Sequence, residues 1–136
     1  KLLDRYYSDR RNPLVAFAGQ MTGVEGYVES AASGFLAAVA MAAKVQEKEI
    51  PDFPKTTAIG ALGLYISDES VENFQPMNIN FGIIKPLGYK VKGGKVAKYE
   101  VIAKRALEAL DEYAERLGAK NNQIRKAEVS QNEDNT

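Results

Sequence analysis

The chain has neither cysteine nor histidine in its 136 residues. Without cysteine there is no disulfide framework and no thiolate nucleophile, and without either residue the usual zinc ligands are gone. The lack of histidine also removes the commonest general base at neutral pH. No metal site is expected. Net charge is missing as well, since 18 basic side chains balance 18 acidic ones. The whole chain therefore carries no basic footprint for nucleic acid, and any such patch must be local. No apolar run reaches the ~20 residues of a membrane helix, because Glu25, Glu29 and Lys44 bracket the longest one. No membrane association is expected, and the absence of a signal-peptide pattern gives a cytoplasmic protein as the default.

What is present is enough for one core: the apolar content is 45%, ordinary for a globular domain of this length. The chain is organised around Leu14–Ala43. Leu14–Ala18 is a short apolar run that reads as a buried strand, stopped by Gly19. Gly19, Gly23 and Gly26 punctuate a turn, and from about Tyr27 to residue 46 the sequence is alanine-rich, free of proline and helical. Its apolar positions are Val28, Ala32, Phe35, Leu36, Val39, Ala40 and Ala43. A strand, a glycine turn and a helix start together offer free N–H groups and a positive dipole end to an electron-rich ligand edge. Tight backbone packing is the alternative use of the same glycines. Their G-x-x-x-G-x-x-G spacing is not the dinucleotide fingerprint. Glu25 and Glu29, one turn apart, could form a carboxylate pair or serve the helix dipole.

Around that stretch, Lys1–Asn12 is basic and amphipathic, with Leu2, Leu3, Tyr6 and Tyr7 able to share a side. Asn12-Pro13 forces an extended entry into the strand. After a two-proline connector, Thr56 or Thr57 caps a buried helix over 57–66, in which Gly60 and Gly63 point to close packing. Residues 74–84 alternate Met77, Ile79 and Phe81 with Asn78 and Asn80, an extended segment with two amides on one face. Lys85–Lys98 holds five lysines and no acid, with Gly93-Gly94 as the tip of a hairpin. That run is either a solvated hairpin or a patch contacting phosphate. A closing helix over 98–117 stripes Tyr99, Ile102, Ala106, Leu110, Tyr113 and Leu117 on one face, with Gly118 as its C′ residue. Domain 1–118 is then followed by a loose polar tail, 119–136.

Three stretches carry a resemblance. Phe17-Ala18-Gly19-Gln20-Met21-Thr22-Gly23-Val24-Glu25-Gly26-Tyr27-Val28-Glu29-Ser30-Ala31-Ala32-Ser33-Gly34 is similar to the C-terminal flavin-contacting motif of the folate- and FAD-dependent tRNA uracil-5-methyltransferases (the TrmFO type). Thr57-Ala58-Ile59-Gly60-Ala61-Leu62 with Tyr65-Ile66 resembles a second signature of that family, and Phe74–Gly82 a third. They stand in the family's order over Leu14 to Leu87. The wobble-uridine flavoproteins (the GidA or MnmG type) share the first frame but not the Phe74–Gly82 wording.

The resemblance implies an α/β parent fold, of which this chain, mostly α-helical with a few short strands, is the C-terminal part of a Rossmann-like FAD-binding domain. It implies FAD as cofactor, with methylenetetrahydrofolate and NAD(P)H as co-substrates and tRNA as the methyl acceptor. Gly19, Gln20, Gly23, Gly26, Tyr27 and Val28 would contact the flavin, and Glu25 with Tyr27 would border the folate pterin. Lys90, Lys92 and Lys95 would contact tRNA. The family's N-terminal dinucleotide-binding motif and its catalytic cysteines have no counterpart here, so no catalytic residue is expected in this chain. It is expected to need the N-terminal portion as partner and to self-associate when alone. A non-catalytic interaction module of the same fold and the C-terminal part of a wobble-uridine enzyme are the alternatives.

Overall fold

A computed structural model of the chain describes residues 1–50 and 52–133, with side chains through residue 118. Three helices follow a single 3-10 turn, Gln20–Thr22: α1 (Tyr27–Val45), α2 (Ala58–Ser67) and α3 (Gly94–Glu133). Nothing among the described residues is a β-sheet. Neither segment expected as a strand, 14–18 or within 74–84, forms one: Leu14 and 81–83 lie in turns, Leu14 and Val15 are exposed rather than buried, and only isolated bridges occur, Leu3 with Asp9 and Ser8 with Ala16 antiparallel, Val24 with Met77 parallel. A strand persists only where a neighbour matches its hydrogen-bonding groups over several residues. Here the turns between 2 and 16 bring together too few.

The N-terminal segment is looped rather than helical. The Asp4 carboxylate accepts the N–H groups of Tyr6 (2.8 Å) and Ser8 (3.0 Å), and Tyr7 takes a left-handed φ of 63°. This turn buries Tyr7 and leaves Leu2 exposed, so the four apolar residues of 2–7 do not share a side. Arg10 fastens the loop to the end of α2, donating to the Ser67 carbonyl (3.0 Å) and pairing with Glu69 (3.2 Å).

Helix α1 forms because its alanines lose little on ordering and nothing breaks it before Gln46. Ser33, Leu36, Ala37 and Ala40 are its buried residues. Of these, Leu36 and Ala37 join a core that also contains Tyr7, Val24, Phe53, Leu62, Ile66 and Tyr113. Each large aliphatic side chain there is worth roughly 1.5–3 kcal/mol of burial. The opposite face is bare: Val28 and Val45 are 79% and 70% exposed and Phe35 53%, with Ala31, Ala38 and Ala42 exposed between them. By length and composition alone α1 could also cross a membrane, contrary to the sequence expectation, since the bracketing Glu29 and Lys44 lie inside it. Its last turn is tied down by Lys44, whose ammonium donates to Ser8 Oγ (2.8 Å) and the Pro13 carbonyl (3.0 Å).

Thr57 caps α2, its hydroxyl accepting the Gly60 N–H at 3.1 Å. Gly60 and Gly63 admit backbone: a Cβ on either would fall on the Pro54 or the Arg5 carbonyl oxygen. Helix α3 starts at Gly94, after Gly93 at φ 105°, so this glycine pair is a helix entrance and not a hairpin tip. It also does not stop at Gly118, which is absent from the positive-φ glycines. The Ala, Lys, Gln, Arg and Glu beyond it favour helix enough to carry a glycine costing about 1 kcal/mol. The polar tail expected from 119 is therefore helical through Glu133, and 134–136 lie outside the described residues.

Candidate functional site

The glycine turn is built where three backbone reversals meet. Gly19, Gly23 and Gly26 have φ of 75°, 98° and 96°, values that L side chains resist. At Gly23 the space of a Cβ is taken by the Phe74 ring, and at Gly26 by the Glu29 carboxylate and Asn78 amide. Close packing therefore accounts for the glycines at 23 and 26.

On the inner side a set of hydrogen bonds holds the turn. Ser33, fully buried, accepts the Gly19 N–H (2.8 Å) and donates to the Ser30 carbonyl (2.7 Å). Thr22 Oγ1 donates to the Gly19 carbonyl at 2.8 Å, and the Gln20 carbonyl accepts the Gly23 N–H at 3.0 Å. The segment 77–79 runs beside the turn. Glu25 N–H donates to the Met77 carbonyl (3.0 Å) and Met77 N–H to the Gly23 carbonyl (3.2 Å). Asn78 Nδ2 donates to the Glu25 carbonyl at 2.9 Å, and Ile79 N–H donates to Glu29 Oε1 at 3.1 Å. Glu29 is therefore a clasp between α1 and the extended segment, and not half of a carboxylate pair. Its own backbone N–H and then that of Ile79 hold its carboxyl below the usual glutamate range, desolvation opposes them, and the Asn78 amide adds the smallest lowering effect.

On the outer side the turn is open. Tyr27 is 96% exposed, Val28 79% and Met21 75%, and the Gln20 and Glu25 side chains are also at the surface. Gly26 is the N-cap of α1 without a side-chain cap, and the N–H groups of Tyr27 and Val28 precede any helical carbonyl that could accept them. The result is a cluster of exposed apolar side chains at a helix start with two N–H groups lacking a helical acceptor and a positive dipole end. Gly19, Gln20, Gly23, Glu25, Gly26, Tyr27 and Val28 are all brought to this one turn. Lys90, Lys92 and Lys95 are exposed elsewhere, on the segment leading into α3 and on its first turn. An open cleft of about 520 Å³ at the end of α2, lined by Ala61, Leu64, Tyr65, Ser67, Asp68 and Ile83, includes none of these residues. No cluster of three His, Cys, Asp or Glu able to hold a metal occurs among the described residues.

Two residues of this neighbourhood escape a reading of the sequence alone. Phe74 roofs Gly23 and stacks on Tyr65 at 5.3 Å; nothing in its local pattern marks a contact across so many residues. Phe81 stacks on Tyr99 at 3.9 Å with ring planes 5° apart. The alternation of 77–81 places Phe81 with Met77 and Ile79, but it is 39% exposed.

Exposed apolar side chains where a glycine turn opens a helix, at the positive end of the helix dipole, form the class of site that can take an electron-rich ligand edge. Residues 1–49 match the family model described as glucose inhibited division protein A. More narrowly, the chain is similar to curated proteins named methylenetetrahydrofolate–tRNA-(uracil-5-)-methyltransferase TrmFO. It is 51% identical to that of Acetivibrio thermocellus over 112 residues, which are 82% of this chain and 26% of the relative. It is 52% identical to that of Streptococcus pneumoniae over 112 residues, 82% of this chain and 25% of the relative. The chain spans about a quarter of the length of these relatives. Its resemblance to the TrmFO-type tRNA methyltransferases thus extends over most of its own length.

Proposed function

We propose that this chain is the C-terminal segment of a Rossmann-like cytoplasmic flavoprotein that methylates carbon 5 of a T-loop uridine in tRNA. Methylenetetrahydrofolate supplies the carbon and NAD(P)H the electrons, and the chain is not active alone. The observation that carries this reading is the open N-terminus of α1, with Tyr27, Val28 and Met21 exposed around two N–H groups lacking a helical acceptor. These residues fit a flavin: the N–H groups of Tyr27 and Val28 suit the electron-rich pyrimidine edge, and Met21 and Val28 its apolar face. A helix N-terminus favours negative charge at such an edge by about 0.3–2 kcal/mol. When bound, the flavin supplies the electron-transfer chemistry, while this chain positions and polarises it. Gly19 and Gln20 would lie beside the cofactor's ribityl and phosphate region, while Gly23, buried under the Phe74 ring, would act on the cofactor only by shaping the turn. Tyr27 and Glu25 border the folate, one offering a ring face and the other a carboxylate acceptor for ring N–H groups. Glu29 is unavailable for that task because Ile79 and Asn78 already engage it.

The bare stripe of α1 supports the need for a partner. Val28, Ala31, Phe35, Ala38, Ala42 and Val45 recur at helical spacing and nothing among the described residues covers them. The dinucleotide-binding portion of the enzyme is the occupant this reading assigns.

The test is reconstitution. The chain mixed with the dinucleotide-binding portion of a TrmFO relative should retain yellow flavin through gel filtration at saturating FAD, and neither piece alone should do so. A colourless complex would refute the flavin reading and leave a non-catalytic module of the same fold. Methylation assayed on tRNA then identifies the acceptor: modification of the wobble uridine with an untouched T-loop uridine would transfer the chain to the wobble-uridine enzymes.

A further inference from the structure

Charge in this chain is balanced overall but not locally. From residue 73 to residue 99 there are five lysines and no acid, while the whole chain has 18 of each sign. Lys85, Lys90, Lys92, Lys95 and Lys98 are all exposed, and none is in an ion pair within 4.0 Å among the described residues. Two of them, Lys95 and Lys98, stand at the start of α3, whose first turn carries no acid. The helix dipole disfavours cations at that end, so the stability of α3 does not account for them.

Aromatic rings are interleaved with these lysines. Phe81 and Tyr99 lie face to face at 3.9 Å and 5°, the Lys95 ammonium stands over the Tyr99 ring at 5.5 Å, and Tyr89 is 64% exposed nearby in sequence. Tyr99 packs on the small core of Ala61, Ile84 and Ile102, which fixes the pair, while Phe81 remains 39% exposed. A near-parallel ring pair with surface exposed, one cation over it and further lysines close by in sequence matches the physical requirements for holding an unpaired nucleobase between phosphates.

We propose that the Phe81–Tyr99 stack is a platform for an unpaired RNA base, with Lys90, Lys92 and Lys95 on the phosphates beside it. The proposal rests on the reading of tRNA as substrate and deepens it, because it separates a base contact from the phosphate contacts. A duplex hides its base faces and can use only the lysines. A looped RNA can use both.

The experiment uses the full chain and two RNA probes: a hairpin with 2-aminopurine in its loop, and a blunt duplex of the same stem. Binding should quench the loop fluorophore through stacking. Phe81→Leu should abolish the quenching and weaken the hairpin about tenfold or more, with duplex affinity unchanged, and Phe81→Tyr should restore both hairpin signals. Replacing Lys90 and Lys92 by Ala should weaken both probes and lower the slope of log affinity against log salt by about 1.5–2. Should Phe81→Leu lose its helical circular dichroism, the quenching shown by the Tyr variant and the lysine salt slope carry the decision. Quenching and hairpin affinity that survive Phe81→Leu would overturn the platform. So would equal weakening of hairpin and duplex, or binding of polyglutamate in preference to either RNA. No flavin is needed for these readouts, so a colourless reconstituted complex would sink the methyltransferase reading while the quenching stood.

Discussion

The same substitution, glycine to alanine, should have opposite signs at three helical positions. Helix propensity alone favours alanine by about 1 kcal/mol. At Gly118 nothing lies within 4 Å of an added Cβ, so Gly118→Ala should realise that gain as added helix content. At Gly60 the Cβ would fall on the Pro54 carbonyl oxygen, with the carbonyl carbon at 2.9 Å; at Gly63 it would fall on the Arg5 carbonyl oxygen, with that carbon at 3.4 Å and Leu36 Cδ2 at 3.6 Å. A backbone carbonyl yields only if its chain moves, and such overpacking costs about 1–3 kcal/mol. Moving Pro54 also disturbs the 2.7 Å bond that its carbonyl accepts from Thr57 Oγ1, worth about 1 kcal/mol. Set against the propensity gain, Gly60→Ala should lose about 1–3 kcal/mol and Gly63→Ala about 0–2 kcal/mol. Each kcal/mol corresponds to about 3–4 °C in Tm for a chain of this size. Far-UV circular dichroism melts with urea titrations read both stability and helicity. Stabilisation at 60 and 63 would refute the close approach of backbone to α2. A fall in helicity on Gly118→Ala would refute continuation of α3 through that residue.

Burial pushes the Tyr7 hydroxyl up to about 12 from an ordinary 10.0. The folded-state pKa is the higher one, so the associated stability is complete below pH 10 and is lost as pH rises toward 12. Because that hydroxyl is buried without a partner, Tyr7→Phe should stabilise by about 1–3 kcal/mol and remove its share of the alkaline loss; a less stable variant in urea titrations would contradict this. Glu29 has the opposite sign. Its carboxyl is held below the usual range, so its stability is present above the ordinary glutamate pKa and lost as pH falls through the folded value. Glu29→Gln should therefore flatten the acid limb of stability against pH, and an unchanged limb would remove the clasp. The bare face of α1 should make the isolated chain associate with itself, and Phe35→Ser should shift sedimentation toward monomer; a wild-type chain that is monomeric at every concentration would count against it.

The helices were legible because their signals are local. An alanine-rich run, Thr57 three residues before Gly60, and the stripe from Tyr99 to Leu117 each speak for themselves. The boundaries of α3 were not. A glycine pair marks a turn but does not say whether a strand or a helix follows, and Gly118 ends a helix only if it adopts the left-handed conformation. The expected strands failed for a different reason: apolar alternation shows that a segment suits a sheet, whereas a sheet requires neighbours. The turn residues could be gathered from spacing and resemblance. The division of labour among them could not, because Phe74, Asn78 and Ile79 reach Gly23, Glu25 and Glu29 across some 50 residues of chain.

Helix α1 is anchored at both ends by unrelated segments: Glu29 to Ile79 at its start, Lys44 to Ser8 and Pro13 at its finish. Between them lies a strut about 22 Å long, at ~1.5 Å per residue. A strut of this kind has a phase as well as a length. Deleting a single alanine from its middle would shorten it by only ~1.5 Å but turn one anchor by about 100° relative to the other. Both anchors could not then be kept, and the bare stripe would be cut into halves facing different directions. Composition along α1 is thus free to drift among small apolar residues, while its residue count between Glu29 and Lys44 is not.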